Sequence, residues 1–459
     1  MPLAQALDDL QTFLGERFSR SKPDLDAHAH SESYYAPAPP DGVAFPISTE
    51  EVSQIMKICA AHRVPVTGWG AGTSLEAQAQ PICGGVVVDF TRMNRVLDIR
   101  GDDMDVTVQP GVTREALNTE LRATGLFFPV DPGANASIGG MAMTRASGTT
   151  TVRYGTMRDN VLGFEAVLAD GQVIRTGTRA RKSSAGYDLT ALLVGSEGTL
   201  ALVTEITLRL HPIPESISAG ICAFDDIGSA TAAVMETIQM GLPMARIEFV
   251  CADSARAFNA YAGTDMPETP HLLVEFHGSP SGTAEVAQQF AEIVADHGST
   301  GFEWSSHTEE RNALWAIRHN AFYAILALKP KARAVVTDIC VPISQLARAV
   351  EETRQDIHAS GLMGPIVGHV GDGNFHAALL IDPDDAAQLA TAKALSAAMA
   401  ERALRLGGTC TGEHGVGLGK KAFMPAEHGG AWAVMGQVKK ALDPHNLLNP
   451  GKLVSDDTY

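Results

Sequence analysis

Four short stretches built largely from glycine and other small residues punctuate the first half of the chain. At each of them a fold must bring nearly bare backbone close to something. The first, Gly68-Trp69-Gly70-Ala71-Gly72-Thr73-Ser74, follows the strand-like Pro65-Val66-Thr67. It offers successive N–H groups with little side chain in the way, which suits an anionic pyrophosphate. Its spacing is not the GxGxxG of a Rossmann turn, and Gly417-Leu418-Gly419-Lys420-Lys421 lacks the Ser/Thr and the upstream glycine of a P-loop, so nicotinamide and ATP are disfavoured. One loop alone would imply an anion site. The other three clusters extend the requirement: Pro132-Gly133-Ala134-Asn135-Ala136-Ser137-Ile138-Gly139-Gly140, then Ala146-Ser147-Gly148 with Arg153-Tyr154-Gly155, then Gly195-Ser196-Glu197-Gly198-Thr199-Leu200. A long dinucleotide laid across a domain needs several such close approaches.

With 459 residues, 45% of them hydrophobic, the chain is long enough for two or three domains. Residues 1–40 are polar, end in Ala36-Pro37-Ala38-Pro39-Pro40, and read as an amphipathic helix followed by a linker. Ser48-Thr49-Glu50-Glu51 reads as a capping box before a helix whose apolar face is Val52, Ile55, Met56 and Cys59. Strands are expected at 85–89, 106–108 and 200–210, a helix around Ala116 to Arg122, and a hairpin turning at Asp170-Gly171. Pro212 and Pro214 mark a boundary, giving 41–214 as a first domain and 215–420 as a second. In the second, strand-like runs (217–224, 246–250, 272–276, 335–341) alternate with helical ones (229–240, 284–296, 345–358), and an alanine-rich helix spans about 385–406. Residues 421–459 form a closing segment. The fold class is α+β.

A net charge of −18 argues against broad binding to phosphate backbones or anionic lipid, so no nucleic-acid partner is expected. Six dispersed cysteines form no CxxC pair, which fits a reducing compartment. The first ten residues have neither the basic and apolar regions of a secretory signal nor the arginines of a mitochondrial presequence, and no run is long and apolar enough for a membrane span. A cytoplasmic location follows as the expectation, with room for a peripheral membrane partner.

Gly368-His369-Val370-Gly371-Asp372-Gly373-Asn374-Phe375-His376 carries the most chemical information. Asp372-Gly373 between the apolar runs 365–367 and 378–381 reads as a hairpin turn. The histidines lie symmetrically about it, so they are expected directly opposite each other on one face, placed to meet one metal. Two histidines packed in a sheet and satisfied by hydrogen bonds are the alternative. Thr411-Gly412-Glu413-His414-Gly415-Val416-Gly417 offers a carboxylate beside another histidine in a glycine-rich loop that can approach a site. Two imidazoles, one carboxylate and open positions make a catalytic site, for which zinc and manganese both fit.

The glycine clusters, from about Phe45 to Pro212, resemble the FAD domain of the vanillyl-alcohol oxidase/p-cresol methylhydroxylase superfamily. With the two histidine motifs, nearly the whole chain resembles its FAD-linked D-lactate dehydrogenase branch, which also holds D-2-hydroxyglutarate dehydrogenase and the flavin subunit of glycolate oxidase. The resemblance implies a two-subdomain FAD-binding domain, a ferredoxin-like α+β cap that takes substrate, and a C-terminal helical segment that returns to the FAD domain. It implies FAD contacts at Trp69, Gly70, Ala71, Gly72, Thr73, Ser74, Pro132, Gly139, Gly140, Ser147, Gly148, Tyr154, Gly155, Glu197, Gly198, Val203 and Asn449. Relatives with a tethered flavin carry a histidine in the first loop, and 68–74 has none, so FAD is expected to be non-covalent. The resemblance makes His369, His376 and Glu413 metal ligands, His414 the general base, and Arg318 the group that grips a substrate carboxylate; alone, Arg318 reads equally as a solvated helical arginine. Arg333 stands where relatives place a lysine.

The expected reaction is oxidation of a small D-2-hydroxy acid, D-lactate to pyruvate, by hydride transfer to FAD. Ala377 and Ala378 stand where hydroxyglutarate-type relatives place asparagine, and an apolar wall there favours a short side chain. Glycolate and D-2-hydroxyglutarate are the alternative substrates, and a non-catalytic module binding a nucleotide and zinc is the alternative class. Cytochrome c, a quinone or an electron-transfer flavoprotein all fit as electron acceptor.

Overall fold

A computed structural model describes residues 2–459; Met1, the first residue of the N-terminal segment, lies outside the described residues. The chain divides into two compact units. One comprises residues 2–147, 155–213 and 413–459, and the other residues 148–154 and 214–412.

The first unit contains two main sheets. One orders the strands Phe18–Ser19, Gly42–Ala44, Val86–Asp89 and Val66–Trp69, antiparallel at the first pairing and parallel at the other two. The helix Thr49–His62 precedes Val66–Trp69 and buries Val52, Ile55, Met56 and Cys59. Its cap is half of the expected capping box. Ser48 accepts from the Glu51 N–H, but the Glu51 carboxylate turns instead to Arg17 and to the Ile47 N–H. The N-terminal segment is not an appended helix and linker. Helix Pro2–Leu14 buries Ala6, Leu7, Leu10 and Leu14 in the same core as Ile55 and Met56, each leucine contributing about 1.5–3 kcal/mol on burial. Phe18–Ser19 then supplies the sheet's outer strand.

The second sheet is antiparallel, in the order Val96–Arg100, Asp105–Val108, Leu202–Arg209, Val161–Val167 and Val173–Gly177. Val161–Val167 and Val173–Gly177 form the hairpin expected at Asp170-Gly171, and Leu202, Ile206 and Leu208 are buried along the central strand. The closing segment brings helix Gly430–Leu442 into this unit, and Val66 forms a parallel bridge to Leu448.

The second unit is built on one antiparallel sheet. Its order is Phe302–Ser305, Ser216–Ala223, His271–Gly278, Met244–Val250, Ile366–His369, Asn374–Ile381 and Arg333–Val336. The run expected as one strand over 335–341 is broken. Arg333–Val336 and Ile339–Cys340 both pair with Asn374–Ile381, and the fully buried Thr337 and Asp338 interrupt them. Two polar side chains cannot be left in a core without partners, and the bonds they make belong to the site below. On one face of the sheet, Trp315, Ala321 and Ile325 from the helices Thr308–His319 and Ala321–Ala327 pack with Val250, Val367 and Leu380. Among the described residues, no helix is long and apolar enough to cross a membrane.

Candidate active site

The first glycine loop leaves the C-terminal end of strand Val66–Trp69 as irregular backbone over residues 70–74. A Cβ on Gly70 would collide with the Ser137 hydroxyl, which caps helix Ile138–Thr144 by accepting from the Gly140 N–H. The loop and the segment of Ser137, Gly139 and Gly140 therefore meet backbone to backbone. Gly72 has φ +72°, and a side chain there would press on the Trp69 ring at 2.7 Å. The Ser74 hydroxyl is buried with no hydrogen-bond partner. A buried orphan hydroxyl at the end of a glycine loop fits an absent polar ligand such as a pyrophosphate, so these residues fit FAD.

Other expected cofactor contacts are placed as follows. Ala71 and Thr73 lie in the loop, and Pro132 lies in the irregular stretch before Ser137. Val203 is a core residue of the five-stranded sheet. Gly155 (φ +75°) directly follows helix Thr151–Tyr154, and Gly198 (φ +69°) sits in a turn. Asn449 ties two loops together, donating from Nδ2 to the carbonyls of Gln78 and Glu197. The Glu197 carboxylate accepts from the Val416 and Gly417 N–H groups at 2.6 and 2.9 Å and braces the loop that follows His414. Burial pushes its pKa up despite those bonds. Gln78 donates to the His414 carbonyl at 2.6 Å, and the Ser147 hydroxyl donates to Glu413 Oε2 at 2.7 Å. Glu413 and His414 group with the first unit, not with the 215–420 span, whereas Gly148 and Tyr154 group with the second.

In the second unit the strands Ile366–His369 and Asn374–Ile381 form the expected hairpin in a different register. His369 pairs with Asn374, and His376 pairs with Val367. The turn is centred on Gly371-Asp372 because Gly373, at φ +80°, closes it with its N–H on the Val370 carbonyl. The histidines are thus diagonal neighbours, not directly opposite. The shift moves the sum of paired numbers by two, so both stay on one face. Their rings lie 5.4 Å apart at 80°.

Each ring is held by its Nδ1. His369 Nδ1 is 2.7 Å from Glu248 Oε1, and His376 Nδ1 is 3.1 Å from the Thr337 carbonyl. Both partners accept, so both Nδ1 atoms donate, and in a neutral ring so held the lone pair is on Nε2. This is the tautomer a pair of metal-ligating histidines adopts, with a carboxylate or carbonyl behind each. Around His376, Asp338 accepts from Asn374 Nδ2 and from the Thr411 hydroxyl at 2.8 and 2.7 Å.

Arg318 is not a solvated helical arginine. It is buried, and its Nε and Nη2 meet Glu248 Oε2 at 2.9 and 2.7 Å. Arg333 begins an edge strand and is exposed. Tyr154 Oη bonds His277 Nδ1 at 2.7 Å, and His277 Nε2 bonds Glu275 at 2.7 Å. Sequence reading missed Glu248, Asp338 and the Glu275–His277 pair. A usable signal existed, since Glu248 and the Glu275–His277 pair are ionisable groups inside apolar strand runs, Ile247-Glu248-Phe249 and Val274-Glu275-Phe276-His277, and Asp338 stands in the strand-like stretch 335–341.

Residues 40–177 match the family described as FAD binding domain, and residues 213–453 match that described as FAD linked oxidases, C-terminal domain. The chain belongs to the FAD-linked oxidases. Its fold is that of p-cresol methylhydroxylase, whose solved structure superposes with a TM-score of 0.81 at 15% identity, covering 100% of this chain and 98% of that one. Within the family it is similar to D-lactate dehydrogenases. It is 48% identical to a probable mitochondrial D-lactate dehydrogenase of Danio rerio over 94% of this chain and 87% of the relative. It is 42% identical to the mitochondrial D-lactate dehydrogenase [cytochrome] of Arabidopsis thaliana, over 97% and 78%.

Proposed function

We propose that this chain is a D-lactate dehydrogenase that passes electrons to FAD and then to a cytochrome, with a divalent metal, zinc or manganese, in its substrate site. The observation that carries the reading is the pair His369 and His376, each with Nδ1 committed to a buried acceptor, in a chain so similar to D-lactate dehydrogenases. FAD, held by the glycine loops of the first unit, supplies the two-electron acceptor when bound. A divalent metal held by His369 and His376 would supply a Lewis acid, which lowers the pKa of a bound hydroxyl.

Glu413 is proposed as the third ligand. It follows Gly412, whose close packing on Asn374 and Asp338 fixes that point of the chain beside His376. Arg318, whose Nε and Nη2 meet Glu248, is proposed to bind the substrate carboxylate. His414 takes the hydroxyl proton as the C2 hydrogen departs with its electron pair, leaving the 2-oxo acid. Only Ala378 shares the strand face of His376; Ala377 points to the other side. The small apolar Ala378 supports a short substrate side chain. None of the six cysteines is in a disulfide, which fits the reducing, cytoplasmic location read from the sequence, although the two relatives are named as mitochondrial.

The test is anaerobic bleaching of the purified flavoprotein by D-lactate, L-lactate, glycolate and D-2-hydroxyglutarate, before and after chelation. Bleaching by D-lactate, lost on chelation and restored by zinc or manganese, is expected, as is a loss of at least about a hundredfold in His414→Ala. Bleaching that survives chelation removes the metal from the reading, and faster bleaching by another acid replaces the substrate.

A further inference from the structure

Glu248 sits near the centre of the second unit's sheet, on strand Met244–Val250, with 1% of its surface exposed. Its two oxygens do different work. Oε1 accepts from His369 Nδ1 at 2.7 Å, and Oε2 accepts from Nε and Nη2 of Arg318 at 2.9 and 2.7 Å. We propose that Glu248 is a positioning residue that sets the distance and orientation between the metal ligand His369 and the carboxylate-binding Arg318, and so the bite of the site for a 2-hydroxy acid. The proposal rests on the roles given above to those two residues.

The chemistry of the ligand makes this spacing matter. A 2-hydroxy acid places a hydroxyl and a carboxylate on adjacent carbons. A site that chelates one end and grips the other must hold its cation and its guanidinium at a fixed separation. His376 is oriented by the Thr337 backbone carbonyl, which lies between two short strands that pair with the strand of His376 itself. His369 and Arg318 come from different elements, a strand and the helix Thr308–His319, and a single side chain references both. As a mere structural ion pair, Glu248 and Arg318 would have no need of the imidazole.

Glu248→Gln separates the two kinds of role. Both neighbours donate, and an amide has one accepting oxygen and one donating nitrogen. If the oxygen faces Arg318, the NH2 faces His369 Nδ1, which must then accept; its proton moves to Nε2, where the metal needs the lone pair. If the oxygen faces His369, the NH2 opposes the guanidinium. Either arrangement damages one half of the site.

The experiment uses the holo-flavoprotein stripped of metal by chelation. Zinc ion alone is titrated against a chromogenic chelator, and pyruvate is titrated by its perturbation of the flavin spectrum without metal. KM and kcat for D-lactate are then measured with metal restored. Glu248→Gln is expected to weaken zinc by about 10- to 100-fold or pyruvate by a comparable factor, raising KM more than it lowers kcat. His369→Ala should weaken zinc only, and Arg318→Ala pyruvate only. If both single-site variants behave this way while Glu248→Gln binds zinc and pyruvate as the wild type does, the proposal is overturned and the functional reading stands. If His369→Ala binds zinc and Arg318→Ala binds pyruvate normally, the reading fails and Glu248 loses its role with it. Should Glu248→Gln lose its flavin or its cooperative melting, Glu248→Asp decides. It keeps both acceptors but shortens their reach, so it should shift zinc and pyruvate affinity together. A change in one alone, or in neither, overturns the proposal.

Discussion

Lys452 holds an ammonium in a place that offers it carbonyls but almost no water. It is 1% exposed and donates to the carbonyls of Gln78 and Gln80 and to Asn449 Oδ1. Burial lowers its pKa from 10.5 to about 8, with Glu197 and Cys83 pulling the other way and Lys421 adding to the depression. Below pH 8 the group is charged in both the folded and unfolded chain, and the full desolvation cost is present. Between pH 8 and 10.5 the folded protein has released a proton that the unfolded chain still holds, so this group adds stability as pH rises. Relative to Lys452→Met, which has nothing to titrate, wild-type unfolding free energy should rise by about 2 kcal/mol from pH 7.5 to 9.5. Urea midpoints of both proteins at the two pH values check this, and a constant difference would mean that Lys452 keeps its ordinary pKa. Nothing in the sequence assigned Lys452 a role, because two of the oxygens that surround it, the carbonyls of Gln78 and Gln80, come from far away in the chain.

Short elements were legible where their causes are local. The helix from Thr49 follows from Ser48 and its apolar spacing, and the hairpin at Asp170-Gly171 from its turn residues. The histidine hairpin was legible as a hairpin but not in its register, because the turn is set by Gly373 at φ +80°. A Cβ there would also collide with the Val341 carbonyl of a neighbouring segment. The capping box was half right because Arg17, distant in sequence, claims the Glu51 carboxylate. The turn after helix Gly430–Leu442 was not legible, yet it supports the strand Val66–Trp69 in the first unit. Asp443, fully buried, pairs with buried Lys439 and accepts from the Leu447 and Leu448 N–H groups at 2.9 and 2.7 Å. That turn holds Leu448 beside Val66 and delivers Asn449 to the Gln78 and Glu197 carbonyls. Asp443→Ala leaves an uncompensated ammonium and two orphan N–H groups, so it should cost about 3–5 kcal/mol and lower flavin content on purification. Asp443→Asn, which keeps the shape and one acceptor, should cost less. Equal stability of wild type and Asp443→Ala in denaturant would show that the turn contributes little.

At the scale of the molecule, the sequence exposed the fold class and the flavin half because a glycine cluster declares its purpose in a few adjacent residues. It concealed Glu248 and Asp338, whose partners, His369 and Arg318 for one and Asn374 and Thr411 for the other, are assembled by sheet order. Net charge is a property of the whole molecule that needs no fold at all. A chain carrying −18 raises a negative potential around itself, which repels polyanions and draws in basic partners. If the second electron acceptor is cytochrome c, a basic protein, oxidation of the reduced flavin begins with an encounter steered by that potential. Screening at 0.15 M salt, where the Debye length is about 8 Å, weakens the steering. The second-order rate constant with ferricytochrome c should therefore fall at least about tenfold between 10 and 200 mM salt, while that with an uncharged quinone analogue stays nearly constant. Stopped-flow reoxidation of the D-lactate-reduced protein measures both. A flat salt dependence with cytochrome c alongside faster reaction with the quinone would assign the electrons to the quinone, since an acceptor that carries no charge gains nothing from the field.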